Sequence, residues 1–232
     1  MKVGIMQPYF LPYIGYFQLI AAVDLFVVYD NIKYTKKGWI NRNRFLLDGR
    51  DELFSLPLRK GSDALEVRER DLAPDFDRAK LLNRLVEAYR RAPCFGEVVP
   101  LLQRIIARSG DNLFDFIHAS LLDVCAWLDI GTPLLVSSTL DVDHGLQGQD
   151  RVLAICHHLG ADTYVNATGG RDLYSHEHFA ARGIELRFLQ SRPCDYPQFG
   201  RPFVPWLSIL DVMMFNTRES ISRTLLGRYD LA

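Results

Sequence analysis

The first 30 residues alternate between strand-like and helix-like hydrophobic patterns, which limits the fold more than any other feature. "KVGIMQ" (2–7) is a short apolar run ending before Pro8, which is typical of a buried strand. "IGYFQLIAAV" (14–23) has the spacing of a helix with one apolar face, and "LFVVYD" (25–30) is rich in the β-branched and aromatic residues of strands. This order predicts two parallel strands joined by a crossover helix.

The second half of the chain repeats this order. "TPLLVSS" and "DTYVNA" are predicted strands flanking the predicted helix "QDRVLAICHHLGA", and "GIELRFL" is a further strand followed by an apolar helix around "WLSILDVMMFN". Between the two βαβ units, residues 77–91, 98–108 and 112–128 have helical spacing. The sequence therefore predicts one α/β domain over residues 1–232, with a doubly wound, mostly parallel, Rossmann-like sheet. A helical insertion or cap is expected over residues 73–130.

Composition excludes several classes of protein. The 232 residues are 48% hydrophobic, enough for one substantial core. Lys and Arg number 27 against 28 for Asp and Glu, so no general attraction to nucleic acid or anionic membranes is expected. No apolar run approaches the ~18 residues needed to cross a bilayer. Four separated cysteines and no signal-like N-terminus predict a reducing, cytoplasmic location.

The turn after the first predicted strand is rich in aromatic residues and prolines. In a parallel sheet it lies at the carboxyl end of the strand, where open α/β sheets bind ligands. The helix that follows offers unpaired backbone N–H groups to an anion. Gln7, Tyr13 and Tyr16 are candidate ligand contacts, and Gly15 is expected to let a ligand approach the backbone.

A basic loop, "KYTKKGWINRNR" (33–44), follows the second predicted strand and should emerge at the same edge of the sheet. Lys36 and Arg42 suit phosphate or carboxylate, whereas Trp39 could stack on a base or a sugar ring. Asn41 and Asn43 are candidates for orienting the substrate. One short loop offers too little basic surface for strong non-specific binding of nucleic acid.

A third loop, "NATGGRDLY" (166–174), follows another predicted strand. Gly169 and Gly170 permit positive φ angles and so predict a nest of backbone N–H groups for an anion. Arg171 could then clamp a phosphate, with Asn166 and Asp172 beside it. The pattern is neither a P-loop nor G-x-G-x-x-G.

Other polar residues carry weaker signals. "DVDHG" (141–145) is interpreted as a loop with capping side chains, and His176 and His178 have no third ligand nearby, so no metal site is predicted. Asp211 interrupts an apolar helix, and a buried carboxylate needs a partner, which Arg171 or the basic loop could supply. The sequence identifies no cofactor and indicates no oligomeric state.

Two resemblances extend this reading. Tyr13-Ile14-Gly15-Tyr16 is similar in position to the H-x-G-H turn of nucleotidyltransferases such as pantothenate synthetase, which holds ATP phosphates, but both histidines are tyrosines here. Four blocks in order, "MKVGIMQPYFLPYIGYFQLI", "VYDNIKYTKKGWINRNR", "LGADTYVNATGGRDLY" and "FVPWLSILDVMMFN", resemble the WbqC-like family over nearly the whole chain.

The WbqC-like resemblance implies a role in bacterial O-antigen and other surface polysaccharide biosynthesis, with aminoacyl or glycine transfer to a sugar. On this hypothesis the three loops bind a nucleotide or nucleotide-sugar. Arg42, Arg171 and Lys36 neutralise phosphate, Gln7 and Asn41 orient the substrate, and Tyr16 transfers a proton. The alternatives are activation of an amino acid with ATP, which would release pyrophosphate, and a non-catalytic partner in glycan assembly.

Overall fold

The computed structural model describes residues 1–232. The chain runs β1 (Lys2–Met6), α1 (Ile14–Ala21), β2 (Leu25–Val28), β3 (Arg42–Leu47), β4 (Arg50–Ser55), α2 (Arg78–Tyr89), α3 (Phe95–Ala107), α4 (Leu113–Leu128), β5 (Leu134–Val136), α5 (Gly148–Leu159), β6 (Thr163–Ala167), α6 (His176–Ala180), β7 (Glu185–Ser191), α7 (Ile209–Phe215), α8 (Arg218–Ser220) and β8 (Tyr229–Leu231). Short 3₁₀ segments lie at Val67–Glu69, Ser137–Thr139 and Thr168–Leu173, and Ile221–Leu225 forms a π-helical turn.

Six strands form one sheet in the order β5-β2-β1-β6-β7-β8. All neighbours are parallel except the edge strand β8, which is antiparallel to β7. The predicted Rossmann-like α/β fold is therefore confirmed. Because β2 lies on one side of β1 and β6 on the other, the winding of the chain reverses between β1 and β6. Open α/β sheets form their ligand crevice at such a switch point.

The two faces of the sheet are covered separately, as alternating side chains require. In β2, Phe26 and Val28 pack into a cluster of 45 buried residues that includes side chains of α1, α2, α3, α4 and α7. Val27 points the other way, into a cluster of 12 residues with α5 and Phe179 of α6. β2, β6 and β7 each have buried apolar side chains on both faces, so the loops at the ends of these strands have a fixed base.

A hairpin that was not predicted from the sequence follows β2. β3 and β4 pair in antiparallel register around Asp48 and Gly49, whose φ angles are 51° and 80°. Two successive positive φ angles are those of a type I′ turn, for which Asp-Gly is a preferred pair. The basic loop is therefore shorter than predicted, because Arg42 and Asn43 already belong to β3.

Candidate functional site

The largest polar cavity lies at the switch point. This switch-point cavity has a volume of about 860 Å³ and is lined by residues from the carboxyl ends of β1, β2 and β6 and from the start of α5. Gln7 follows β1, Asn31 follows β2 and Asn166 ends β6, so three neighbouring strands deliver polar side chains to one opening. Its size is that of a typical small-molecule site.

Arg151 supplies the buried positive charge of this cavity. It stands in the first turn of α5 and is only 8% exposed. Its Nη1 donates to the Asn31 carbonyl at 3.0 Å, its Nη2 lies 3.2 Å from His144 Nδ1, and its buried Nε has no partner. No carboxylate oxygen lies within 4.0 Å of the guanidinium. A buried charge without a counter-ion is unfavourable in an empty protein, so this geometry suits an anionic ligand.

The contacts of His144 fix its tautomer. Its Nδ1 lies 3.1 Å from Asn31 Nδ2 as well as 3.2 Å from the Arg151 guanidinium. Guanidinium nitrogens only donate, so Nδ1 accepts and the ring proton of neutral His144 is on Nε2. His144 therefore offers the cavity an N–H donor, which suits an anionic oxygen.

A buried polar cluster fixes the end of β2 that supports this pair. Asp30, Asn31 and Ser137 are each at most 2% exposed. The Ser137 hydroxyl contacts the side-chain oxygens of both Asp30 and Asn31, and the backbone N–H of Ser138 donates to Asp30 Oδ1 at 2.9 Å. This cluster joins the loop after β2 to the loop after β5, so Asn31 presents its carbonyl to Arg151 from a rigid base.

Neither Arg151 nor His144 was among the predicted site residues. His144 belongs to "DVDHG", where Asp143 does cap the Gly145 N–H at 2.8 Å as expected. The sheet topology could have indicated these two residues, because the connection from β5 to α5 reaches the same edge of the sheet as the three predicted site loops. Lys33, from the basic loop, also lines the cavity.

Five predicted residues line the switch-point cavity: Gln7, Tyr13, Asn166, Gly169 and Gly170. The predicted N–H nest is wrong, because residues 168–173 form a 3₁₀ helix and neither glycine has a positive φ. A Cβ on Gly170 would lie 2.6 Å from Asn166 Nδ2, so that glycine makes room for Asn166, whereas a Cβ on Gly169 would meet open space.

The opening turn is packed more tightly than its sequence suggested. A Cβ on Gly15 would lie 2.5 Å from Ser191 Oγ and 2.7 Å from Tyr13 Cζ, so its close approach is to protein and not to ligand. Tyr16 is 1% exposed and donates to the Gln7 carbonyl at 2.9 Å. Burial raises the pKa of Tyr16 well above its usual range, which disfavours the proton transfer predicted for this hydroxyl.

The asparagine side chains of the basic loop form hydrogen bonds within the protein. Asn41 accepts from Tyr34 at 2.8 Å and donates to the Leu56 carbonyl at 2.7 Å. Asn43 is buried and donates to the Leu11 carbonyl at 2.8 Å. Both amides therefore hold the protein's own backbone or side chains, and their predicted contact with substrate stays a prediction.

The charged residues predicted for phosphate lie away from the cavity. Arg42 donates to the carbonyls of Gly38 and Lys37 and lies over the Trp39 ring, and Lys36 pairs with Asp63 at the surface. Arg171 lies over Phe188, and neither it nor Asp172 lines the switch-point cavity. The three cations therefore do not converge as expected.

Asp211 has a different set of partners from the predicted one. This fully buried carboxylate accepts from Tyr89 at 2.9 Å, Tyr196 at 2.7 Å and Gln198 at 2.6 Å, with no arginine. Burial raises its pKa, and the three hydrogen bonds oppose that shift. Because Gln198 also bonds to both backbone groups of Val204, Asp211 anchors the loop that leads from β7 to α7.

Two further cavities adjoin the first one. An apolar cavity of about 610 Å³ lies between the start of α1, the end of β7 and the loop from β7 to α7. A smaller aromatic groove, of about 240 Å³, is formed by Tyr9, Pro12, Tyr13, Trp39, Asn43, Arg44 and Trp206. Tyr13 lines all three cavities, so they meet at this residue.

The fold and the position of the largest polar cavity place the chain among Rossmann-like α/β proteins. The model of the WbqC-like protein family matches residues 7–223, so the chain belongs to this family and the resemblance seen in the sequence is confirmed. The chain is also 32% identical over 219 residues, or 93% of either chain, to "Uncharacterized protein Rv1507c" of Mycobacterium tuberculosis (strain ATCC 25618 / H37Rv). No solved structure matches it.

The helices and the metal-ligating side chains also bear on binding. None of the helices combines the length and the apolar character that a bilayer crossing requires. No group of three or more His, Cys, Asp or Glu side chains is arranged to hold a metal ion.

Proposed function

We propose that the protein is a transferase of bacterial surface polysaccharide biosynthesis that binds a nucleotide or nucleotide-sugar in the switch-point cavity. Membership of the WbqC-like family supports the pathway. The observation that supports the ligand class is the buried, acid-free guanidinium of Arg151 at the N-terminus of α5, where the helix dipole favours the same negative charge.

The roles within the cavity follow from the contacts. Arg151 and Lys33 neutralise a phosphate or diphosphate, and His144 donates from Nε2 to one of its oxygens. Gln7 and Asn166 bring side-chain amides to the cavity wall, where they orient the rest of the ligand. Arg151 and His144 take over the phosphate role that the sequence reading gave to Arg42, Arg171 and Lys36.

The proposed transfer of an aminoacyl group, such as glycyl, to a sugar rests on the family resemblance. Such a reaction needs room for two substrates side by side. The apolar cavity shares Tyr13 and Gly169 with the switch-point cavity, so two substrates could meet across these two residues. With the hydroxyl of Tyr16 buried, this proposal assigns it no role in the chemistry.

Isothermal titration calorimetry with UDP, ADP and UDP-N-acetylglucosamine tests the ligand class. We expect at least one of them to bind, and Arg151→Gln to weaken that binding about 10- to 100-fold, the effect of losing about one charge-assisted hydrogen bond. Arg151→Lys keeps the charge and should lose less.

Arg171→Gln is the matched control, because it removes an equal charge from the same edge of the sheet but outside the cavity. Thermal unfolding of each variant separates misfolding from loss of affinity. The proposal is wrong if the wild-type protein binds none of these compounds, or if a folded Arg151→Gln variant binds as tightly as Arg171→Gln.

A further inference from the structure

Two of the three tryptophans of the chain stand exposed on opposite segments of one groove. Trp39, on the basic loop, is 41% exposed, and Trp206, on the loop from β7 to α7, is 61% exposed. Both line the aromatic groove together with the rings of Tyr9 and Tyr13. Exposed aromatic surface gathered in one concavity is typical of a ligand site and not of ordinary surface.

The backbone that presents Trp206 in this groove is in an unfavourable conformation. Trp206 has a φ of 60°, a left-handed conformation that bulky residues rarely adopt, and its carbonyl accepts from Arg44 Nη2 at 3.4 Å. The ring of Trp206 packs edge-on against Tyr13 with centroids 5.9 Å apart. Trp39 has the guanidinium of Arg44 5.3 Å from its ring centroid. Arg44 therefore lies between the two tryptophans and contacts both of them.

The chemistry of the walls narrows the occupant. The Asn43 amide is occupied by backbone groups, and the two terminal nitrogens of Arg44 bond to Asp51 and to Trp206. The walls are mainly aromatic faces, and these suit the C–H face of a saturated ring. At about 240 Å³ the groove is also smaller than the usual range for drug-sized ligands, about 300–1,000 Å³.

We propose that the aromatic groove is the subsite for one pyranose ring of the sugar substrate, stacked against Trp39 and Trp206. This inference rests on the proposed function and adds where the sugar binds. Tyr9 and Tyr13 line both the groove and the switch-point cavity, so a ring in the groove lies next to a nucleotide phosphate held by Arg151.

The indole N–H signals in a ¹H–¹⁵N NMR spectrum test the assignment directly, because the chain has only Trp39, Trp127 and Trp206. Trp127 packs against the core from α4 and does not line the groove, so it serves as an internal control. The probes are the methyl glycosides of glucose, galactose, mannose, rhamnose and N-acetylglucosamine, each titrated with and without UDP. We expect at least one glycoside to shift the signals of Trp39 and Trp206 while that of Trp127 stays in place.

Variants then separate stacking from a general effect on the fold. Trp39→Ala should weaken glycoside binding about 3- to 10-fold, as expected for loss of one aromatic contact, and Trp39→Phe should restore part of it. Both variants should bind UDP as the wild type does. Arg151→Gln should show the reverse pattern, with UDP binding weakened and glycoside shifts retained.

Two results would overturn the inference while nucleotide binding itself is still observed. One is UDP binding at the switch-point cavity with no glycoside shifting Trp39 or Trp206 under either condition. The other is a shift of both tryptophans by UDP alone, which would place the base in the groove. Failure of every nucleotide to bind, with glycoside shifts present, would instead contradict the proposed function and leave the sugar subsite standing.

Discussion

Replacing Tyr89 by Phe removes one hydroxyl from the buried network that anchors the loop from β7 to α7. That hydroxyl donates to Asp211 Oδ1 at 2.9 Å and accepts from the backbone N–H of Leu46 at 2.8 Å. Tyr89 and Asp211 are fully buried and Leu46 is 2% exposed, so no water replaces the lost partner. The phenyl ring itself keeps its packing, including its edge-on contact with Phe215.

The expected loss of stability has two parts. Leaving the buried Leu46 N–H without an acceptor costs about 1–3 kcal/mol, and a hydrogen bond to a charged carboxylate contributes about 1.5–3 kcal/mol. Because the two effects share one atom and partial relaxation is expected, we expect a total of about 3 kcal/mol. Urea unfolding followed by circular dichroism should show this as a midpoint lowered by about 1 M.

Tyr196→Phe is the matched control. Its hydroxyl also donates to Asp211, at 2.7 Å, but accepts no backbone N–H. We expect a loss of about 1–2 kcal/mol, smaller than for Tyr89→Phe by the contribution of the Leu46 amide. Equal losses for the two variants, or a loss below about 0.5 kcal/mol for Tyr89→Phe, would refute the reasoning.

The pH dependence gives a second readout of the same network. Burial raises the pKa of Asp211 in the folded state above the ordinary 3.8, so its contribution to stability is present at lower pH and is lost as pH rises through the folded pKa. The Tyr89 hydrogen bond favours the ionised carboxylate, so its removal raises that pKa further. The destabilisation by Tyr89→Phe should therefore be greatest near neutral pH and shrink as the medium becomes acidic.

Two further experiments test the packing, one of the opening turn and one of the buried cysteines. Gly15→Ala places a methyl group 2.5 Å from Ser191 Oγ and 2.7 Å from Tyr13 Cζ, and should lower the unfolding free energy by about 1–3 kcal/mol in thermal melts; Gly96→Ala, in α3 with nothing within 4 Å, should be neutral or stabilising, and equal effects would contradict the packing. Burial raises the pKa of Cys125 and of Cys156 to about 12, so at pH 8 only about one thiol in ten thousand is ionised at either position. Ellman's reagent should therefore modify the half-buried Cys194 first, Cys194→Ser should remove that phase, and rapid reaction of several thiols in the native protein would argue against the buried placement.

The sheet could be predicted because its strands leave a local record. Residues 2–6 and 25–28 are apolar runs bounded by turn residues, and hydrophobicity over a few neighbours is enough to find them. The β3–β4 hairpin has an equally local signal in Asp48-Gly49, a pair preferred in type I′ turns, although charged residues surround it.

The side chains of the candidate site were harder to predict, because their positions depend on contacts between distant segments. The guanidinium of Arg151 is held in the cavity by the Asn31 carbonyl, which lies 120 positions earlier in the chain. Asp211 is held by tyrosines from α2 and from the loop after β7, not by the arginines that charge alone suggested. The conformation of Gly169 and Gly170 likewise depends on the 3₁₀ turn that forms there, since glycine permits a positive φ without requiring it.

The turn between β1 and α1 is fixed by contacts from two distant segments of the chain. Leu11 is held at a φ of 43°, and its carbonyl accepts from Asn43 at 2.8 Å and from Ser208 at 2.7 Å, so the hairpin and the start of α7 both fix the turn. This anchoring positions Tyr13, whose ring borders all three cavities. Asn43, which also lines the aromatic groove, thus helps to fix the backbone that carries Tyr13. Because Tyr13 lines all three cavities, a rigid turn keeps the shape of all of them constant, and a displacement of this one ring would change them together.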